Sequence, residues 1–241
     1  MSRRALSIPP LLAFATPDGG SWGVAAGGDS AQVALATGAV REPVGSAQAE
    51  VASGQLGREA SGHWEMRRAG DQIEAVEQSP DVTDEDPDPG LRIVQVSGAV
   101  EGAGIAYAGR PEVEAESVRM LFAWFPEGAT VGLMAARPAK AKGQDRDELT
   151  VACLGEPPGS KVFDPRLSST YGEEGLLHRV GLELWLGESE EADLYSLRLA
   201  GEASGAVAHL NLEDAVVQAQ PFAAHSRGQS GIGVYLLIAR P

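Results

Sequence analysis

Apolar positions along this chain alternate with polar or small ones, and they recur far less often at the three- and four-residue spacing of a helix. Apolar runs at 11–15 and 22–26 flank the turn sequence PDGG at 17–20, an arrangement that predicts a β-hairpin. A second hairpin is predicted where the sequence PEG at 126–128 separates two further alternating runs. Along the whole chain the pattern predicts about 14 short strands at nearly regular spacing, which is typical of a β-sandwich or β-barrel.

Two polar stretches interrupt the predicted strands. Residues 79–90 contain five acids and three prolines, so we expect a solvated loop there. Residues 138–148 are also polar and carry both signs of charge. The strand count suits two β units of about 120 residues each, and one long β-sandwich is the alternative fold.

Charge and cysteine content exclude several classes of function. The chain of 241 residues has 34 acidic and 19 basic side chains, a net charge of −15, so a nucleic-acid partner is disfavoured by repulsion from its phosphates. The single cysteine, Cys153, excludes an internal disulfide and a cysteine-based zinc site. Because Cys153 lies in an apolar run, we expect a buried and unreactive thiol.

The sequence carries no membrane-spanning signal, since no apolar run approaches the roughly 18 residues that a spanning helix needs. Arg3 and Arg4 precede a weakly apolar stretch, as in an export signal, but Pro9 and Pro10 interrupt the helix that such a signal forms. We therefore expect a cytoplasmic protein that does not span a membrane.

Several short motifs give only weak evidence of function, because the predicted structure around them does not suit the function. GGSWG at 19–23 matches the serine-hydrolase string G-x-S-x-G, but a hairpin rather than a helix is predicted around it. Asp84, Asp86 and Asp88 are spaced like the first three ligands of a calcium-binding loop. The chain lacks the glycine and the final glutamate that such a loop requires. The four histidines are not spaced as metal ligands. We expect neither a metal nor a cofactor.

One predicted strand, at 180–186, offers candidate chemistry. Alternation places Val180, Leu182 and two further leucines on one face and Glu183 with Trp185 on the other. If the leucines fill the core, Glu183 is a solvated carboxylate beside a surface indole. If the other face lines a cavity, burial raises the pKa of the Glu183 carboxyl and makes it a proton donor. The last predicted strand also has two different faces, with four aliphatic side chains on one face and Tyr235 on the other. In the strand before residue 126, Trp124 shares a face with Phe122.

Several segments carry a resemblance to a known family. Residues 136–145 (ARPAKAKGQD), 163–171 (FDPRLSSTY), 181–185 (GLELW) and 231–235 (GIGVY) resemble bacterial members of the AttH-like and carotenoid 1,2-hydratase superfamily. Residues 96–102 (VSGAVEG) resemble the strand that precedes the central linker in that family. The similarity extends over about residues 60–241. The chain departs from the family after residue 109, where RPEV stands in place of a His-x-Trp-Gly-like turn.

The resemblance implies two packed lipocalin-like antiparallel β-barrels, which we place at residues 1–115 and 116–241. It also implies an apolar cavity that accepts a terpenoid or polyketide-like molecule and supports acid-initiated hydration or cyclisation.

Under that hypothesis Glu183 is the candidate catalytic acid and Asp164 the reserve acid, whereas five residues are candidate substrate contacts: Trp185, Trp124, Tyr235, Trp64 and Arg137. The aromatic faces of Trp185, Trp124 and Tyr235 suit a cationic carbon. A carrier that binds an apolar ligand without turnover is the competing hypothesis, and a structural partner domain is a third. The oligomeric state stays open.

Overall fold

The structure is a computed structural model that describes residues 6–37, 47–78, 90–113, 115–126, 130–138, 149–154, 161–187 and 195–241. These residues form strands, turns and irregular segments. No helix in this part of the chain is long and apolar enough to cross a membrane. Loops are expected at 79–90 and 138–148, and all but residues 90 and 138 of these segments lie outside the described residues.

A closed antiparallel barrel forms the first half of the fold. A short strand, β1 (Leu6–Ile8), precedes the eight barrel strands, which pair in chain order: β2 (Leu11–Ala15), β3 (Ser21–Ala26), β4 (Ala31–Thr37), β5 (Val51–Arg58), β6 (His63–Arg68), β7 (Asp71–Gln78), β8 (Leu91–Gly98) and β9 (Gly102–Tyr107). Pairing of β9 with β2 closes the barrel. After the barrel, β10 (Arg110–Val113) pairs with β1.

A ten-stranded antiparallel sheet forms the second half. Its strands are β11 (Ser117–Trp124), β12 (Val131–Arg137), β13 (Leu149–Leu154), β14 (Lys161–Val162), β15 (Arg166–Tyr171), β16 (Leu177–Gly187), β17 (Tyr195–Ala203), β18 (Ala208–Asn211), β19 (Val216–Ser226) and β20 (Gln229–Ala239). The order is β13-β12-β11-β20-β19-β17-β16-β14, with β15 on β16 and β18 on β19. The sheet curls so far that side chains of β15 bond to those of β11 and β20, which makes it a second barrel.

Three apolar clusters follow from this arrangement. One fills the first barrel and includes Phe14, Trp64 and Met66. Another fills the second barrel and includes Leu184 and Phe222. The third lies between the barrels, because strands on the contact side are apolar on both faces. The burial pattern of β11, in which six successive residues are buried, illustrates this.

Polar contacts also join the two barrels. The Gln32 amide donates to the carbonyl of Asn211 at 2.6 Å and accepts from its backbone N–H at 2.7 Å. The N–H of Ala49 donates to the Val207 carbonyl at 2.8 Å, and Val207 donates to Ala47 at 3.1 Å. Backbone groups of the two barrels are thereby paired across the seam.

The all-β prediction and the two packed barrels are confirmed, and the single-sandwich alternative is not the observed fold. The hairpin at 11–26 is present, and Gly19 within GGSWG lies in its turn at φ 69°. A Cβ at Gly23 would lie 2.5 Å from the Phe14 ring, so close packing explains that glycine. The division at residue 115 stays a prediction. Cys153 lies in β13 opposite Gly132, and its side chain is outside the described part.

Candidate functional site

The strand that holds Glu183 turns its leucines inward. Leu182 and Leu184 are buried in the second barrel, so Glu183 and Trp185 face outward and are partly exposed. The side chain of Glu183 accepts hydrogen bonds from Nε and Nη2 of Arg198 at 3.0 and 2.8 Å. Of the two arrangements that the alternation allowed, the structure has the one with leucine in the core.

Asp164 lies beside this pair. Its Oδ2 accepts two hydrogen bonds from Arg166, at 2.9 and 2.5 Å, and Arg166 stands opposite Glu183 in the sheet. The hydrogen bond and the charge of Asp164, with a smaller contribution from Glu183, raise the pKa of the Arg166 guanidinium. The structure therefore brings the two candidate acids into one row of alternating charges on the outer face of the second barrel.

A cleft of about 500 Å³ opens next to that row. Its floor is a line of small residues in register, Ser168, Gly181 and Ala200. Long polar side chains border the floor, among them Arg166, Glu183, Arg198, His225 and Arg227. The cleft exists because small side chains on three adjacent strands stand between long ones.

Tyr235 lies on the opposite side of the sheet, inside the second barrel, and is 2% exposed. Its hydroxyl is 2.6 Å from the hydroxyl of Tyr171, which receives a hydrogen bond from Ser169 at 3.2 Å. Ser169 in turn accepts from Nη1 of Arg119 at 3.0 Å. The hydroxyl chain thus runs from the cation of Arg119 to a buried phenol, and Tyr171, which is 41% exposed, connects it to the surface.

Burial is the main reason why the pKa of Tyr235 lies well above its ordinary value, and the neighbouring Tyr171 raises it further. Hydrogen bonding from Ser169 and the charge of Arg119 lower it only in part. Tyr235 therefore keeps its proton through neutral pH and is a neutral hydrogen-bond donor.

A second polar group lies next to Tyr235 in the same interior. Gln220 stands opposite Tyr235 in the ladder of β19 and β20 and is 1% exposed. Its Oε1 accepts from the N–H of Leu177 at 2.6 Å and from Gln218 at 3.0 Å. The Gln220 Nε2 atom is buried without a described hydrogen-bond acceptor, so this interior offers a donor that a ligand oxygen could satisfy.

The other candidates lie elsewhere. Trp64 is buried in the first barrel and donates from Nε1 to Glu77 at 2.8 Å. Trp124 packs partly buried against the cluster between the barrels. Arg137 ends β12 opposite Ser117. The five predicted substrate contacts therefore lie at five places in the fold and do not form one site.

The site residues predicted from the sequence do not include Arg119, Ser169, Tyr171 or Gln220. Alternation along the strand could have placed Arg119 inside the second barrel. Arg119 lies on the same face of β11 as Leu121 and Ala123, which face that interior. Gln220 has the parity of Phe222 in the same way. Among the described residues, no three histidine, cysteine or acidic side chains come together as metal ligands do.

The fold is a pair of packed antiparallel β-barrels, as the resemblance implied, and two solved structures share it. The chain is similar to kievitone hydratase from Nectria haematococca at 8% identity, over 96% of this chain and 89% of that one, with a TM-score of 0.51. It is also similar to a protein assigned as AttH from Nitrosomonas europaea at 10% identity, over 98% and 93% of the two chains, with a TM-score of 0.50. By sequence, no family model and no curated protein matches the chain.

Proposed function

We propose that the second barrel binds an apolar small molecule and that the Tyr235 hydroxyl holds an oxygen at the end of that molecule. The observation that carries the proposal is the hydroxyl pair of Tyr171 and Tyr235, 2.6 Å apart in a mainly apolar interior that also holds the buried Gln220. The ligand enters at the exposed side of Tyr171 and replaces that hydroxyl as the partner of Tyr235. Its apolar body packs on the aliphatic side chains of the same barrel, which is the main source of affinity in such sites.

The hydroxyl chain also supports a hydratase-type reaction. A carbonyl conjugated to a double bond accumulates negative charge on its oxygen when water adds to the far carbon. Tyr235 would donate to that oxygen, and the positive charge of Arg119, one serine away, would stabilise the developing charge. The exposed ring of Tyr171 gives a route for exchange of the proton with solvent.

Direct protonation of an isolated alkene, as terpenoid hydration requires, needs a stronger acid than a phenol whose pKa is raised. Glu183 and Asp164 are the acids proposed for that step, and both bond to arginines outside the barrel. Their role would therefore require a substrate that reaches the outer face. A carrier without turnover is the second candidate, favoured by the neutral donor that Tyr235 provides at neutral pH.

Mass spectrometry of an organic extract of the purified protein tests the binding function. We expect a stoichiometric apolar compound from the wild-type chain and a reduced amount from Tyr235→Phe. The matched control is Tyr107→Phe, which removes another buried tyrosine hydroxyl, in the cluster between the barrels, and should retain the compound. Equal amounts from both variants would contradict the assignment of the site.

Incubation of chalcone, an apolar conjugated ketone, in water labelled with heavy oxygen tests the reaction. If the protein is a hydratase, the wild-type chain incorporates the label into the product and the Tyr235→Phe variant does not. Binding of chalcone without incorporation of the label would favour the carrier. Incorporation that Glu183→Gln abolishes and Tyr235→Phe leaves unchanged would return the acid role to Glu183.

A further inference from the structure

The Gln220 side chain lies beside the two tyrosine hydroxyls of the second barrel, as the pairing of two sets of strands shows. Gln220 stands opposite Tyr235 in the ladder of β19 and β20, and side chains at such positions are neighbours on one face of the sheet. Its Oε1 accepts a hydrogen bond at 2.6 Å from the N–H of Leu177, which pairs with Tyr171 between β15 and β16. The amide of Gln220 is therefore placed next to both tyrosines.

The hydrogen bond from Leu177 also fixes which way the Gln220 amide faces. A backbone N–H can only donate, so the atom that receives it is the amide oxygen and the other terminal atom is the NH2 group. Gln218 donates to the same oxygen at 3.0 Å and occupies its second lone pair. The Gln220 Nε2 atom is buried and has no hydrogen-bond acceptor among the described residues. A buried donor of this kind lowers stability, and an oxygen of a bound molecule would remove that cost.

Donors are more available than acceptors around this amide. The Tyr235 hydroxyl has one hydrogen to donate and Gln220 Nε2 has two. The amide oxygen is already engaged by two N–H groups, and the phenol oxygens of Tyr171 and Tyr235 share a hydrogen bond with each other. Such a set suits an oxygen that accepts two hydrogen bonds and donates none, as a ketone oxygen does. An alcohol would bring a further hydrogen into this mainly apolar interior and would have to compete for an acceptor.

We propose that Gln220 selects the ligand of the second barrel by its oxygen, with Nε2 and the Tyr235 hydroxyl both donating to the carbonyl oxygen of an apolar ketone. This selection rests on the proposed function, because an apolar molecule must first enter this interior. The preferred class of ligand is a ketone, ahead of an alcohol or a hydrocarbon of the same shape. Gln220 is thereby a specificity-determining residue, whether the ketone goes on to react or is only carried.

Three probes built on one naphthalene frame test this selection: 2-acetylnaphthalene, 1-(2-naphthyl)ethanol and 2-ethylnaphthalene. They have nearly the same shape, and they carry a ketone, an alcohol and no polar group, respectively. Each is titrated into the full chain, and binding in the interior is followed by the carbon-13 signal of the Tyr235 ring. We expect the ketone to bind at least about tenfold more tightly than either of the other probes, because it alone satisfies the buried donors without adding another.

The side-chain NH2 signal of Gln220, assigned by triple-resonance NMR, reports the contact directly. The ketone should shift this signal saturably at the concentrations that shift Tyr235, and 2-ethylnaphthalene should leave it nearly unchanged. In Gln220→Met the preference for the ketone over the alcohol should fall to about twofold or less. The matched control is Gln95→Met, because the Gln95 amide bonds to the Gly102 carbonyl at 2.8 Å in the first barrel, and this variant should keep the full preference.

The measurements on the wild-type chain decide the proposal even if Gln220→Met fails to fold. Equal affinities for the ketone and the alcohol, or a Gln220 NH2 signal that the ketone does not shift, would overturn it. Saturable Tyr235 shifts in that same experiment would still support binding in the interior, whereas their absence with all three probes would overturn the proposed function as well. A ketone preference that survives in folded Gln220→Met would overturn the role of Gln220 and leave the selection to Tyr235.

Discussion

The hydroxyl oxygens of Tyr171 and Tyr235 lie 2.6 Å apart, although Tyr171 belongs to β15, which pairs with β16, and Tyr235 to β20, which pairs with β11 and β19. The contact therefore crosses the interior of the second barrel. It links an exposed tyrosine ring to a buried one.

A double-mutant cycle on this pair should detect their coupling. Tyr171→Phe and Tyr235→Phe each remove one partner of the hydrogen bond, so the loss in the double variant should be smaller than the sum of the single losses. The expected interaction is about 0.5–1.5 kcal/mol, measured by urea unfolding. Additive losses would show that the hydroxyl contact does not contribute to the stability of the barrel.

Glu77 should make the first barrel sensitive to acid. Burial alone raises the pKa of its carboxyl, but hydrogen bonds from Arg58 and Trp64 and the charges of Arg58 and Arg92 outweigh burial and lower it. A group with a lowered folded pKa stabilises the folded state above its unfolded value, ordinarily 4.5, and loses that effect as pH falls through the folded pKa.

The variant Glu77→Gln should accordingly be less stable than the wild-type chain at pH 7, by about 1 kcal/mol, and the difference should shrink below about pH 4.5. Unfolding free energies measured by urea at a series of pH values check this. A difference that is constant with pH, or that grows in acid, would contradict the account of the ion pair.

Gly201 tests how tightly the second barrel is packed. A Cβ at this position would overlap the ring of Phe222 and approach Val180, so Gly201→Ala should destabilise the fold by about 1–3 kcal/mol. Gly57 is the matched control, because it also lies in a strand but a Cβ there meets nothing within 4 Å. We expect Gly57→Ala to be neutral or slightly stabilising in the same thermal or urea unfolding experiment. Equal effects of the two substitutions would contradict the close packing of Phe222 against Gly201.

Gln32 should couple the two barrels. Its side chain bonds to both backbone groups of Asn211 across the seam. Gln32→Ala should therefore speed hydrogen exchange at the Asn211 amide while costing less than about 1 kcal/mol of global stability, because the site is exposed. Unchanged exchange would indicate that the seam is held by the apolar cluster alone.

Much of the fold could be predicted from local pattern. The hairpins predicted at 11–26 and 120–136 have apolar residues on both arms and turn residues between them, and in both the two arms pair as antiparallel strands. The pattern did not identify β5 or β15, because Gly54 and Gly57 interrupt the first and three consecutive hydroxyl residues make up the centre of the second. Edge or polar strands of this kind depend on their sheet partners more than on their own sequence.

The site was harder to predict than the fold. Alternation correctly placed Glu183 on the face of its strand opposite to the aliphatic side chains, and it did the same for Tyr235. It does not say which face of a strand points inward. In β16 the leucines face the barrel, whereas in β20 the aliphatic face packs between the barrels and Tyr235 faces the interior. The difference arises because β20 is covered on both sides. The approach of Ser169 and Tyr171 to Arg119 and Tyr235 depends on the curl of the whole sheet, which no local pattern contains.

The most direct test of the second-barrel site is NMR of tyrosine rings labelled with carbon-13. The chain has four tyrosines, so single Tyr→Phe variants assign every signal. On titration with the apolar probe N-phenyl-1-naphthylamine, binding in the second barrel predicts saturable shifts of the Tyr171 and Tyr235 signals and a constant Tyr107 signal. Saturable binding that leaves Tyr171 and Tyr235 unshifted, or that shifts Tyr107 as much as them, would contradict it.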